Sequence, residues 1–276
     1  MPASNISPDS PATGRRTLRL ALAGLALVAL LLAATVPAHA QRAGYPEWQK
    51  PKRLVFGMPY IGNVIGPDET GLITTVLKEI FTSNDLDFEH RNLPYDRALA
   101  GLQQGTVHCS LVLKGHRDMK IQGEATIIIY NLAVAYRTKD GFHGVEAMEG
   151  ERVASMYGFE LQKLLPVEVL VQTGYDLTSI LHLLDRGHVK YVLDESRLLR
   201  EGLLEAQLPT NEFGIHTLRS LEVHPVFAPT DEGREFKALY DRRMKEMAES
   251  GRLREIYRAH GLSEDKIDHL FKVNGY

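Results

Sequence analysis

The sequence predicts an α/β protein built as two similar lobes, and three observations carry that expectation. Strand-like runs alternate with amphipathic helical runs along most of the chain, the pattern of parallel sheets covered by helices. One unit occurs twice, as LQQGTVHCSLVL at 102–113 and as LDRGHVKYVLDE at 184–195. Aligned on their glycines, the copies match at Leu102 and Leu184, Gly105 and Gly187, Val107 and Val189, and Leu111 and Leu193. A unit of helix, glycine and strand used twice implies two sheets, each in its own lobe. Only the second copy ends on acids, Asp194 and Glu195.

The elements follow in order. Segment 53–58, RLVFGM, reads as a first strand. Residues 59–68 hold two prolines and two glycines and form a loop. Thr70 is placed to cap a helix whose buried stripe is Ile73, Val76, Leu77 and Ile80. Residues 86–91 alternate as a short strand. Tyr95, Ala98, Leu99 and Leu102 then fall at the spacing of one helix face. Gly105 sits where a left-handed helix end is wanted. Segment 107–113 is apolar enough to be a strand buried on both faces, and 126–137 is a second, longer β run. Segment 152–156 is a strand, followed at Tyr157-Gly158 by an amphipathic run to Leu165, and 167–172 is another strand. Leu177, Ile180, Leu181 and Leu184 repeat the helical stripe, Gly187 ends it, and 189–193 is the strand. The composition is helical to Ala206. Residues 222–228 are β-like despite Pro225. The C-terminal part is helical, with Phe236, Tyr240, Met244 and Met247 on one face, a break at Gly251, and then Leu253, Ile256 and Tyr257.

Not all of the 276 residues belong to the folded part. Arg15, Arg16 and Arg19 precede an uncharged Leu/Ala-rich run at 20–36, and Pro37-Ala38-His39-Ala40 puts small residues where a signal peptidase reads. The expectation is a signal peptide over 1–40, cleaved after about Ala40, and a periplasmic location. A retained membrane anchor is the alternative, for which the run is marginally short. The Arg15-Arg16 pair leaves Sec and twin-arginine export both open. A polar leader, 41–51, follows. The whole chain carries a formal net charge of -3. Removing three arginines and Asp9 with the signal brings this to about -5. With no basic block, nucleic acid is not expected as a partner. Cys109 is the only cysteine, so an internal disulfide is impossible. Its apolar neighbours make it a small buried hydrophobe rather than a nucleophile.

Three stretches carry a family resemblance: PYDRALAGLQQGTVHCSLVL at 94–113 with Arg117 in the following turn, EGERVASMYG at 149–158, and SGRLREIYRAHGL at 250–262. In this order and spacing they resemble the bacterial extracellular solute-binding proteins of family 3, the amino-acid-type, type II periplasmic binding proteins. The resemblance covers nearly all of 53–262. It implies two parallel-rich sheets flanked by helices and joined by a two-strand hinge near 133–137 and 222–227. Lobe 1 would be 52–137 plus 228–276, and lobe 2 would be 138–227. Strand ends of both lobes would then open on one cleft, where ligands of such sheets bind, and closure would bury a small solute.

The resemblance also implies site residues. Asp194 would meet a ligand ammonium, unless it merely caps the helix that follows. Arg117 would clamp a ligand carboxylate, unless it is a surface arginine. The family's Ser/Thr-x-x-Arg reads Lys-Gly-His-Arg here, so Lys114 stands at the hydroxyl position. Tyr60 would form an aromatic wall or pack at the rim, Tyr130 takes a commonly aromatic position, and Tyr95 shares the buried stripe. Tyr157 and Gly158 would open the first helix of lobe 2 and offer backbone donors to an anion, although Phe159 replaces the family's hydroxyl. The two departures, Lys114 and Phe159, put an ordinary α-amino acid ligand in doubt.

The implied function is capture of a small polar solute, amino-acid-like or anionic, by a monomer serving an ABC permease. The alternatives are ligand sensing for a membrane receptor and a periplasmic dehydratase-like enzyme on the same scaffold. No catalytic residue, cofactor or metal is expected. The eleven histidines form no HxH or HExxH spacing. Asp194 and Glu195, adjacent on a strand, point to opposite faces and make a poor glycosidase pair.

Overall fold

A computed structural model of the protein describes residues 53–84 and 86–276. The expected signal peptide and leader lie outside the described residues. β1 (Arg53–Met58) pairs in parallel with β2 (Asp87–Asn92) and β3 (Cys109–Leu113). The crossovers between them are α1 (Leu72–Thr82) and α2 (Tyr95–Gln104). Further along, β5 (Arg152–Met156) pairs in parallel with β6 (Leu170–Gly174) and β7 (Tyr191–Glu195), with α3 (Leu177–Asp185) leading into β7. Two long antiparallel strands, β4 (Ile128–Arg137) and β8 (Phe213–Phe227), run between the two groups. The order is β2-β1-β3-β8-β4-β7-β5-β6. Each half places its first strand between two parallel partners and borders a crossing strand through the strand of the repeated unit.

The two expected sheets are therefore one hydrogen-bonded surface, continuous through the crossing pair. Register explains why a cavity forms there. β3 runs antiparallel along β8 and ends with Leu113 opposite Val223. From the other side β7 ends with Glu195 opposite Leu132, which itself pairs with Arg219. The two strands of the repeat thus point at each other across a few residues of β4 and β8, beside an irregularity between Leu132 and Ala133.

The repeated residues are scaffold. Leu102 and Leu184 are fully buried, as are Val107 and Val189 within about a percent. Gly105 (φ 72°) and Gly187 (φ 75°) take the left-handed conformation that ends each helix. The core divides with the halves. Ile73, Val76, Leu77 and Ile80 of α1 pack with β1, β3 and the C-terminal helices α5 (Asp231–Glu249), α6 (Arg252–Ala259) and α7 (Glu264–Asn274). Ile180, Leu181 and Leu184 of α3 pack with Ala133, Val192 and residues Leu199 and Leu203 of α4 (Ser196–Glu205).

Several local expectations change. Thr70 does not cap α1; Gly71, at φ 102°, precedes the helix, while the Thr70 hydroxyl donates to the Pro67 carbonyl at 2.7 Å. A threonine that satisfies its own loop cannot serve the helix. The amphipathic run after Tyr157 makes no α-helix, only a 3₁₀ turn at Leu161–Leu164. Glu160 sits there in the left-handed region, and Leu165, extended at ψ 148°, precedes Pro166, which disfavours helical backbone at that position. The expected strand 222–228 is the C-terminal part of β8, which ends at Phe227. Its earlier part, FGIHTLRSL, is mixed in polarity and largely half-buried or exposed, and gives no clear apolar signal.

Gly233 in the first turn of α5 permits a close approach. A Cβ there would run into the Ala228 carbonyl oxygen, while the Gly233 amide donates to the capping Thr230 hydroxyl at 3.0 Å. Gly233→Ala is expected to destabilise the protein by about 3 kcal/mol in urea unfolding. An unchanged midpoint would mean that the turn relaxes freely.

Candidate functional site

The converging ends of β3 and β7 border a cavity of about 620 Å³. Its floor is the crossing pair, through Ile128, Ile129, Tyr130 and Asn131 of β4 and Ser220 of β8. Tyr60 and Gly62, in the loop after β1, stand on one side, and Asp194 with the start of α4 stands on the other. A volume of this order suits a small molecule rather than a macromolecule.

Asp194 is the polar centre of this cavity. It is only 7% exposed. Its Oδ1 accepts the Tyr130 hydroxyl at 2.9 Å and the Glu195 amide at 2.7 Å. Among the described residues no donor reaches its Oδ2. Burial raises its pKa to about 6 against the two hydrogen bonds, which lower it. The same burial, with Asp194 beside it, drives the Tyr130 phenol well above its ordinary value, so Tyr130 is a fixed donor. Asp194 does not cap α4. Glu195 does, accepting the Arg197 amide at 2.6 Å and the Leu198 amide at 3.2 Å.

Of the expected ligand residues, Tyr60, Tyr130 and Asp194 line this cavity, while Lys114, Arg117, Tyr157 and Gly158 do not. Lys114 turns to the crossing strand and pairs with Glu222 at 2.7 Å. Arg117 is held by the protein itself. Its Nη2 donates to the Gly158 carbonyl at 2.7 Å and lies 3.1 Å from Glu160 and 3.6 Å from Asp96. Gly158 (φ 85°) thus offers an acceptor here, and with no helix after it there is no helix N-terminus to hold an anion. Tyr157 packs against Tyr175 at a tilt of 39°, 4.8 Å between rings, at the exposed surface.

Arg117 belongs to a contact between the halves that sequence reasoning missed. His116 Nε2 is 2.8 Å from the Phe159 carbonyl, and the Phe159 ring stacks on Tyr95 at 4.7 Å with 2° between planes. The Glu160 carboxyl is held below its usual range by its hydrogen bond with Lys163, and then by Arg117. The sequence signal was present only as the two departures, Phe159 and the Lys-Gly-His-Arg turn. The acids of α4 that face the cavity, Glu201 and Glu205, were missed as well; their i,i+4 spacing was the available signal. Among the described residues no three His, Cys, Asp or Glu side chains converge to hold a metal ion.

No protein-family model matches the sequence, and no curated protein matches it. Solved structures do. The arginine-, lysine-, histidine-binding protein ArtJ from Geobacillus stearothermophilus superposes with a TM-score of 0.66 at 17% identity, over 79% of this chain and 99% of that one. The fold is that of the two-lobed periplasmic binding proteins. A histidine kinase sensor domain with similarity to periplasmic binding proteins matches at TM-score 0.64 and 15% identity, over 76% and 96% of the two chains. The substrate binding protein of an amino acid ABC transporter matches at 0.61 and 12%, over 75% and 98%. At these identities the likeness to periplasmic binding proteins is one of fold.

Proposed function

We propose that the protein is a periplasmic solute-binding protein that captures a small solute carrying a cationic amine and delivers it to an ABC permease. The observation that carries this reading is the unmatched Oδ2 of the buried Asp194, facing the cavity. A buried carboxylate calls for a cationic partner, and a ligand ammonium supplies one. The wall supports the same sign. Asp176, Asp194, Glu195, Glu201, Glu205 and Asp265 line the cavity, against the permanent cations Arg197 and Lys266. A cleft lined mostly by one sign concentrates the opposite charge. The solute-binding neighbours are in keeping with this use of the fold.

The lobes would divide as 52–137 plus 228–276 and 138–227, as the sequence implies. The register favours a hinge where β4 and β8 pass between the halves, at 128–131 and 220–222, upstream in β4 of the expected position. Residues 132–135 of β4 are already paired with β7. The expected anionic solute is less favoured, because Arg117 and Lys114 are already neutralised.

The test is calorimetric titration of arginine, lysine and putrescine against glutamate and succinate, from pH 7.5 to 5. Cations are expected to bind and the acids not. Protons compete with the solute for Asp194, so affinity is expected to fall up to about tenfold per pH unit below about 6. Binding of the acids alone would overturn the reading. The likeness to a kinase sensor domain favours a second use of the same closure, signalling to a membrane receptor. A carboxyl near 6 also meets the demand of proton transfer, so solute recovery after incubation is the accompanying measurement, with unchanged solute expected.

A further inference from the structure

Resting on that reading, we propose that the solute is a linear di- or polyamine without a carboxylate, its ammonium groups spaced between Asp194 and the acidic face of α4. The helix presents one face to the cavity, through Arg197, Leu198, Glu201, Gly202 and Glu205. Glu201 and Glu205 are one turn apart, about 6 Å along the axis. From Glu195, next to Asp194, to Glu205 the same rise gives about 15 Å. Glu201 and Glu205 share one face of α4 and extend the acidic wall away from Asp194, farther than a compact amino acid reaches and within the span of an extended polyamine. Leu198 and Leu177 lie along this wall and Tyr60 opposite it, giving methylene groups an apolar surface. The facing loop comes close to these residues: a Cβ on Gly62 would stand in ordinary contact with Glu201 Oε2 at 3.7 Å and Leu198 Cδ2 at 3.8 Å.

An acidic wall alone would be a solvated helix face. Asp194 distinguishes it, being more than nine-tenths buried at one end of the wall with an oxygen that no protein group satisfies. For the carboxylate end of an amino acid, the one wall cation without an acidic partner within 4 Å among the described residues is Lys266. The Arg117 guanidinium charge is paired through Nη2 with Gly158, Glu160 and Asp96, its buried Nε having no partner among the described residues, and Lys114 is paired with Glu222. The other wall cation, Arg197, lies 3.7 Å from Glu201, a half-exposed pair for which a solute ammonium would compete. A solute carboxylate would enter a predominantly acidic cavity and be repelled, so removing it should strengthen binding.

Matched pairs isolate this. Ornithine and putrescine, and lysine and cadaverine, differ by one carboxylate, and spermidine adds a third ammonium. Calorimetry at pH 7.5 is expected to give each amine at least tenfold tighter binding than its amino acid, with spermidine tightest. Glu201→Gln with Glu205→Gln should cost spermidine at least tenfold while the melting temperature of the unliganded protein stays the same. Tighter binding of the amino acids, or full spermidine affinity in the double variant, would overturn the polyamine assignment. If Asp194→Asn then abolishes what binding there is, the broader cation reading stands. If no cation of either kind binds, both fail.

Discussion

Asp194→Asn is expected to make the unliganded protein more stable at pH 7 by about 2–3 kcal/mol, and to abolish binding of cationic solutes. The stability effect follows from the folded-state pKa of about 6 against an ordinary value of 3.8. That difference corresponds to about 3 kcal/mol lost when the buried carboxyl ionises. Below pH 3.8 the group is neutral in both folded and unfolded chains and costs nothing. Between about 4 and 6 the folded state retains a proton that the unfolded chain releases, so stability falls as pH rises, and above 6 the full cost remains. Asparagine keeps an oxygen to accept from the Tyr130 hydroxyl and the Glu195 amide, and carries no charge. The gap between variant and wild type in urea unfolding should therefore open between pH 4 and 6. A constant gap, or destabilisation at pH 7, would mean that the carboxylate is stabilised by contacts other than those described. The binding loss should reach a hundredfold or more, because an amide has no charge to neutralise an ammonium.

Arg117→Ala should shift the protein toward an open form. Arg117 reaches the turn Gly158–Glu160 on the other half through a 2.7 Å hydrogen bond and a 3.1 Å ion pair, and its guanidinium lies 5.5 Å above the Tyr95 ring. Charge-assisted hydrogen bonds of this kind contribute about 1.5–3 kcal/mol, so closure should weaken by about 2 kcal/mol. Small-angle scattering is expected to give a larger radius of gyration for the variant. Affinity should fall for every solute alike, because the binding-competent population shrinks. An unchanged scattering profile would show that closure does not depend on this contact. A loss confined to solutes with carboxylates would return Arg117 to the role that the family resemblance implied.

The repeated unit was legible because it is made of core positions. Leu102, Gly105, Val107 and Leu111 recur as Leu184, Gly187, Val189 and Leu193, and burial and positive φ constrain such residues locally. Asp194 stood out for the same reason, as an acid ending a strand too apolar to be exposed. The helix expected after Tyr157 failed because a local cue, Pro166 following Leu165, outweighed an amphipathic pattern. Residues 213–221 of β8 were missed because a half-exposed strand carries little hydropathy contrast.

By itself the sequence determined the alternation of elements, the duplication, the buried faces and the acid at the end of the second copy, since each rests on neighbours within a turn or a strand. Only the tertiary structure decided which charges remain available. Arg117 and Lys114 read alike as cations near a cleft, but Gly158, Glu160 and Glu222, 41 to 108 residues away, occupy them. Whether a charge serves the protein or a solute depends on partners brought together by the crossing of β4 and β8, and that crossing is set by long-range register rather than by any local pattern.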